Sequence, residues 1–384
     1  MYEESIAHPL LKYRRKQFMN VIIAAAGTGG HINPGIAIAN EIKKHNSHAE
    51  ITFIGTPRGL ENDLVSRAGY KLKVIEAYGI KRQITMQNFI NAYKTLKSYK
   101  VAKQIIQEIK PNIIIGTGGY ICGPVFSAGF KYKIPTILHE SNAFPGMAVK
   151  MLSKKTDIIL VGFEDAKKRL PKAKKVVVTG TPTKVSKLYL TEEQKLTIKK
   201  QFNIKNNLPI VAVFGGSQGA ESINKCLIEL INKKINKKYQ IIWAVGQKNY
   251  EEVRNNINIQ YNACIVPYIY NMEEVLNLAD LVVSRSGAMT ITEVAKCGKP
   301  AIFIPYPYAT ENHQEYNAKV LADVDAAKII LDKELNSNKL NDTINGILQN
   351  KEKLTQMGEN AKKIAIKNVE NRIYKEIKNL INNS

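Results

Sequence analysis

Short, almost wholly apolar runs recur along this chain, and most lead directly into glycine or small polar residues. In the first half they are Val21 to Ala26, Ile51 to Ile54, Ile113 to Ile115, Ile134 to Leu138, Thr156 to Val161 and Val176 to Val178. In the second half they are Ile210 to Phe214, Tyr239 to Val245, Ile265 to Tyr268, Leu281 to Val283, Ala301 to Pro305 and Ala326 to Ile330. Runs this short and uniform predict strands of a parallel sheet covered on both faces. Helical stretches lie between and after them: Gly35 to Lys44, one helix within Leu188 to Asn207, Ala288 to Lys296, Asn336 to Asn350, and most of Thr355 to Ser384. Gly298-Lys299-Pro300 ends the Ala288 helix. Ile366, Val369, Ile373, Ile377 and Leu380 recur at spacings of three and four, one apolar face for packing.

A strand, a glycine loop and a helix open both halves, at Gly27-Thr28-Gly29-Gly30-His31 and at Gly215-Gly216-Ser217-Gln218-Gly219. The expectation is an α/β protein of two Rossmann-like domains facing across a cleft. We place a poorly ordered extension at 1–19, a first domain at 20–182, a second at 183–360, and a final helical segment, 361–384, that returns to the first. Thr179-Gly180-Thr181-Pro182 marks the hinge. Residues 1–19 carry Lys12, Arg14, Arg15 and Lys16 but lack the apolar run of a signal peptide, and Met19 could serve as the initiator.

Composition narrows the class. A chain of 384 residues can bury two substantial cores. Its four cysteines, Cys122, Cys226, Cys264 and Cys297, lack metal-type spacing and suit a reducing compartment. The net charge of +23 raises nucleic acid or an anionic bilayer as partners. No nucleic-acid signature accompanies it, so nucleic acid is not expected. The stretch from Gly79 to Lys103 fits a bilayer surface better. Ile84, Met86, Phe89, Ile90 and Tyr93 supply apolar anchors amid Lys81, Arg82, Lys94, Lys97, Lys100 and Lys103. A core-packed helix with a lysine face remains the plainer alternative. No stretch has the length of a membrane span.

The loops carry the chemistry. Parallel strands would open them all on one edge, where ligands of such sheets bind. GTGGH is not GxGxxG, and no acidic residue follows at dinucleotide spacing, which disfavours a nicotinamide enzyme. His31 is the candidate general base: a neutral imidazole near a helix N-terminus can take a hydroxyl proton near neutral pH. A structural cap is the alternative for it. Thr117, Tyr120, Glu140 and Asn142 can hydrogen-bond a polar acceptor. In the second half, amides at the start of the Ala288 helix can hold phosphate, and Glu293 can accept from two sugar hydroxyls. Asn312, His313 and Gln314 reach the same crevice.

The segments RSGAMTITE and NHQEYNA, with GGYICGP, HESN and the three glycine loops in order, resemble the bacterial transferases that add N-acetylglucosamine to the lipid-linked muramyl-pentapeptide precursor. The likeness spans nearly the whole chain from about Asn20. It implies the GT-B architecture and an inverting, metal-independent transfer from UDP-N-acetylglucosamine to the 4-hydroxyl of undecaprenyl-diphospho-N-acetylmuramoyl-pentapeptide, with no cofactor. It also implies a peripheral place on the cytoplasmic face of the cell membrane, at an anionic leaflet, with other cell-wall synthesis proteins as further partners.

The resemblance assigns the donor to Thr28, Gly29, Gly30, Lys184, Ser217 and Gln218, to Ile269 for the uracil, and to Ala288, Met289 and Thr290 for the diphosphate. Glu293 takes the ribose, and His313 and Gln314 take the sugar. Cys122, where serine is usual, and His313, where other members have glutamine, depart from the family pattern, as do three further positions. Val149 stands where asparagine is common, Thr181 where asparagine is usual, and Lys184 where arginine is usual, which forfeits a bidentate fork. Lys299 could assist at the phosphate. A related transferase acting on another lipid such as diacylglycerol, a UDP-sugar epimerase, and a binding subunit that presents lipid to a partner remain alternatives.

Overall fold

The computed structural model describes residues 19–77, 86–204, 207–216, 218–258 and 262–384, with side chains of the 86–109 helix described from residue 97. The described chain divides into two compact units. The first takes residues up to Ser141, then Pro145–Pro182 and Asn368–Ser384; the second takes Asn142–Phe144 and Thr183–Lys367.

In the first unit the strands are β1 (Asn20–Ala25), β2 (Glu50–Gly55), β3 (Lys71–Val74), β4 (Ile113–Gly118), β5 (Thr136–Glu140), β6 (Ile158–Val161) and β7 (Val176–Val178). Its helices are α1 (Gly29–His45), α2 (Glu61–Arg67), α3 (Met86–Ile109), α4 (Cys122–Lys131), α5 (Met147–Leu152) and α6 (Glu164–Lys168). All pairings are parallel and the order is β3-β2-β1-β4-β5-β6-β7. The order reverses between β1 and β4, so the loops leaving these two strands diverge around a crevice.

The second unit holds α7 (Glu192–Gln201), β8 (Ile210–Phe214), α8 (Glu221–Asn232), β9 (Gln240–Ala244), α9 (Tyr250–Asn255), β10 (Ala263–Val266), α10 (Met272–Leu278), β11 (Leu281–Ser284), α11 (Ala288–Cys297), β12 (Ala301–Phe303), α12 (His313–Ala322), β13 (Ala327–Ile329), α13 (Ser337–Leu348) and α14 (Lys351–Ile364). Its order, β10-β9-β8-β11-β12-β13, reverses between β8 and β11. The last helix, α15 (Val369–Asn382), belongs to the first unit and packs on α1, where Tyr374 stacks on His45 at 4.1 Å and Glu376 pairs with Lys175 at 2.6 Å. Val369, Ile373 and Ile377 are its buried residues. Ile366 precedes the helix, and the segment before Asn368 stays with the second unit.

Packing explains the apolar runs. Every residue of β4, β5, β8 and β9 is buried, the result of helices on both sheet faces. Phe126 from α4 packs where Gly116 of β4 lacks a side chain; a Cβ there would lie 2.6 Å from its ring. Gly35 similarly lets α1 approach Ile23 and Phe53, with a Cβ 3.2 Å from each. Burying a phenylalanine of this kind contributes about 2–3 kcal/mol. In the second unit Trp243 is fully buried, and its indole N–H donates to Asn224 Oδ1 at 3.3 Å.

One boundary matters for function. The sequence puts the first helix at Gly35, whereas α1 starts at Gly29 with Thr28 in extended conformation before it. Pro34 lies inside the helix and forgoes one main-chain bond there, yet the turn holds because His31 and Ile32 N–H both close on Thr28 O at 3.0 and 3.2 Å.

Candidate functional site

In the first unit the β1 and β4 loops converge on His31, in the first turn of α1. Its Nδ1 lies 3.1 Å from Ala26 O, and since a carbonyl only accepts, Nδ1 carries the proton and Nε2 keeps its lone pair. Burial lowers the histidine's proton affinity, against the opposing pull of the Ala26 carbonyl and the Glu61 charge. The ring rests on Gly118, where a Cβ would lie 2.4 Å from Cδ2 and 2.8 Å from Nε2, at φ +120°. Only glycine serves there. Thr117, expected on the acceptor, is buried and donates its hydroxyl to His31 O at 2.7 Å. It fixes the His31 main chain. The Cys122 thiol is buried and pushed up to about 12 by burial, a packed group against Ala24 and Gly118 carbonyls.

Glu61 was missing from the sequence reading. Its fully buried carboxylate accepts from Gly27 N at 3.0 Å, Thr56 N at 2.7 Å and Thr56 Oγ1 at 2.6 Å. Burial pushes its pKa up, but these donors outweigh it and hold the carboxyl below the usual range. No local pattern announces the contact, because Gly27 lies 34 residues away.

Of the remaining expected acceptor residues, Tyr120 is 61% exposed at the β4 loop. Glu140 is buried at the end of β5 and accepts from Gly146 N at 2.7 Å. Asn142 belongs to the second unit, where its Oδ1 accepts from Asn317 Nδ2 at 3.1 Å. Neighbouring His139 is fully buried, donates from Nε2 to Gly180 O at 3.0 Å, and is pushed down to about 4 by burial. Val149 is buried in the apolar cluster of the first unit. Thr181 is buried too, beside Gly162.

The second unit presents its loops around β8 and β11. In α11 the first main-chain amide to find a helical carbonyl is Ile291, on Gly287 O at 3.0 Å, which leaves Ala288, Met289 and Thr290 N–H directed out of the helix start. Glu293 follows in the same helix. Thr183 Oγ1 donates to its Oε1 at 2.8 Å, and burial pushes the carboxyl up to about 7 against the lowering effects of Thr183 and Lys296. Thr183 is a second residue the sequence reading missed, although it sits directly after Pro182. Lys184 beside it is exposed.

At the start of α12, His313 donates from Nδ1 to Thr310 O at 2.8 Å, leaving Nε2 outward. Gln314 accepts from Tyr306 N through Oε1 at 3.0 Å and from Ser286 Oγ through its main-chain oxygen at 2.8 Å, so its NH2 remains to donate. Ile269 is buried by its side chain in a loop without regular structure, and none of its main-chain groups bonds another described residue. Gln218 is exposed and its carbonyl accepts from Asn249 at 3.1 Å. Gly29, Gly30 and Thr28 are at the start of α1, in the first unit.

One expectation needs correction. Lys299 does not face a phosphate: its ammonium donates to Asn277 O at 2.9 Å and Ala279 O at 2.6 Å, and burial lowers it to about 8. It caps α10. Arg285, directly after β11, is a buried tie that donates to Ile304 O, Pro305 O, Ser222 Oγ and Asp332 Oδ1. Ser217 and Ile84 lie outside the described residues, as do the side chains of Met86, Phe89, Ile90 and Tyr93. Among the described residues no helix is long and apolar enough to cross a membrane, and no group of three or more His, Cys, Asp or Glu is placed to hold a metal.

Comparison with known proteins covers both units. Residues 21–161 match the glycosyltransferase family 28 N-terminal domain and residues 210–373 its C-terminal domain. The UDP-N-acetylglucosamine–N-acetylmuramyl-(pentapeptide) pyrophosphoryl-undecaprenol N-acetylglucosamine transferase of Acetivibrio thermocellus is 43% identical over 95% of this chain and 99% of its own. The enzyme of the same name from Caldanaerobacter subterraneus is 40% identical over 94% of this chain and 100% of its own. Among solved structures, MurG of Acinetobacter baumannii superposes with a TM-score of 0.75 at 28% identity, over 94% of this chain and 99% of that one.

Proposed function

The chain belongs to the family of UDP-N-acetylglucosamine–N-acetylmuramyl-(pentapeptide) pyrophosphoryl-undecaprenol N-acetylglucosamine transferases, of GT-B architecture, and we propose how its residues divide that reaction. The second unit takes the UDP-sugar and the first takes the lipid-linked muramyl-pentapeptide. The observation that carries the division is the start of α11: three outward amides with the Glu293 carboxyl in the same helix.

On the donor, Ala288, Met289 and Thr290 amides face the diphosphate and Lys184 adds positive charge. Glu293 accepts from the ribose hydroxyls and the Ile269 main chain meets the uracil. Gln314 NH2 and His313 Nε2 address the sugar hydroxyls. Gln218 and Ser217 complete the set.

On the acceptor, Tyr120 and Glu140 orient the polar head, while Thr117 acts through His31. The 4-hydroxyl oxygen attacks the anomeric carbon as the bond from that carbon to the diphosphate oxygen breaks. UDP leaves with the bonding pair, the configuration inverts, and the hydroxyl proton passes to His31 Nε2. Helix-start amides meet the charge on the departing diphosphate without reorganising. The apolar and basic stretch from Gly79 to Lys103 docks on the cytoplasmic leaflet, where the chain is peripheral and can meet other cell-wall synthesis proteins.

The test is transfer of labelled N-acetylglucosamine from its UDP donor to detergent-solubilised lipid-linked muramyl-pentapeptide, beside diacylglycerol and no-acceptor controls. Label on the muramyl lipid alone is expected. Label on diacylglycerol, or donor conversion without acceptor, overturns the reading.

A further inference from the structure

Glu61 and His31 bond the same peptide group from opposite ends. The amide joining Ala26 to Gly27 offers its N–H to the Glu61 carboxylate at 3.0 Å and its carbonyl to His31 Nδ1–H at 3.1 Å. A carboxylate on the N–H side pushes electron density toward the carbonyl oxygen, which then accepts more strongly from the imidazole. We infer that Glu61 is a positioning residue for the transfer, coupled to His31 through the Ala26–Gly27 peptide as a carboxylate–peptide–histidine relay. This inference rests on His31 as the general base.

The surroundings are built for it. Gly55 and Gly59 leave the space the carboxylate fills: a Cβ on Gly59 would lie 1.9 Å from Glu61 Oε2, and one on Gly55 2.5 Å from its Cγ. Thr56 donates twice and keeps the buried carboxylate charged. Gly27, at φ +96°, turns its N–H toward the carboxylate while Ala26 O stays on the ring. Thr117 and Gly118, from β4, and Ala26, from the β1 loop, face the imidazole without ionising. Arg58, in the loop before Glu61, is exposed and pairs with Glu76. Glu61 is therefore the charge whose field reaches the base, and it raises the histidine's proton affinity against burial. A carboxylate serving only to close the loop could be replaced by a neutral acceptor without consequence for the ring.

The experiment follows the His31 imidazole by NMR through pH in the full-length protein, assigned by the signal lost in His31→Ala among the six histidines. Glu61→Gln should lower the His31 pKa by about half a unit to one unit. It should also lower plateau kcat about tenfold and move the acidic limb of kcat to lower pH, since a weaker base is deprotonated earlier and pulls less. Thr56→Val, which removes one donor from the carboxylate, should move the pKa upward. An unmoved titration in folded Glu61→Gln overturns the relay. Should that variant not fold, Thr56→Val decides: a rise supports the relay, no change overturns it. A shifted titration without a shifted kcat profile leaves the relay standing and removes His31 as the base.

Discussion

Each unit has a glycine turn at the end of a central strand, yet the two turns are used differently. In the first, the Gly27 N–H is already occupied by the protein's own carboxylate, Glu61. An incoming phosphate would meet like charge there. In the second, no carboxylate among the described residues reaches the turn from Gly215 to Gly219; Glu221 beyond it pairs outward with Lys225 at 2.6 Å. The α11 start next to it leaves its amides free. One architecture thus yields a loop whose N–H a carboxylate of the protein already holds and a loop that no described carboxylate reaches. On the proposed division, a glycine loop by itself does not mark the nucleotide half; what fills it does.

The sharpest way to break this comparison is His31→Ala. Loss of the base should lower kcat by about 100-fold or more while UDP affinity holds. Equal loss of UDP binding would mean that the first unit's loop carries the nucleotide. Gly118→Ala comes next. Its methyl would meet the imidazole at 2.4 Å and impose an L-residue at φ +120°, so the ring must move. Displacement of a base by an ångström costs about 100-fold in rate, and here too UDP binding should be unaltered.

On the other side stands Glu293→Gln. Removing a charged acceptor from two hydroxyls should raise the donor KM about tenfold or more, with a smaller effect on kcat. Because Glu293 is pushed up to about 7, the ionised acceptor is formed only as pH rises through that value. UDP affinity should therefore strengthen from pH 6 to 8 in the native protein and stay flat in the variant, as calorimetry can show. The stability sign is opposite. A carboxyl whose pKa rises on folding binds more protons folded than unfolded between 4.5 and about 7, so the unliganded fold loses stability as pH climbs through that window. At pH 8 the unliganded variant should melt above the native protein.

The doubly covered strands and the glycine turns were legible because their causes are local: a run of buried β-branched residues, and positive φ at a tight turn. The edge strand β3 was not, since its Lys71-Leu72-Lys73-Val74 is half exposed and shows no apolar run. The start of α1 was masked by Pro34, whose usual meaning as a boundary fails in this first pair of turns. Glu61, Thr183 and Asn317 were invisible for another reason. Each acts on a partner distant in sequence, Gly27, Glu293 and Asn142, and a buried polar side chain looks like a surface one until its partner is placed. Lys299 was misjudged in the same way, as a free cation beside a loop when two carbonyls hold it.

The smallest effect tests how much of the phosphate binding the second unit leaves to helix amides. Lys184 is exposed, and it follows Thr183, whose hydroxyl holds Glu293. A point charge in that place should attract the diphosphate weakly and in a salt-dependent way. Lys184→Arg offers a planar fork in its stead, and should tighten UDP binding about two- to fivefold without altering the pH dependence that Glu293 imposes. Lys184→Ala should weaken binding by a similar factor at low salt and hardly at all at high salt. Unchanged UDP binding by both variants at low ionic strength would show that the α11 amides neutralise the diphosphate without this lysine, and the contrast between the two glycine turns would then rest on main-chain groups alone.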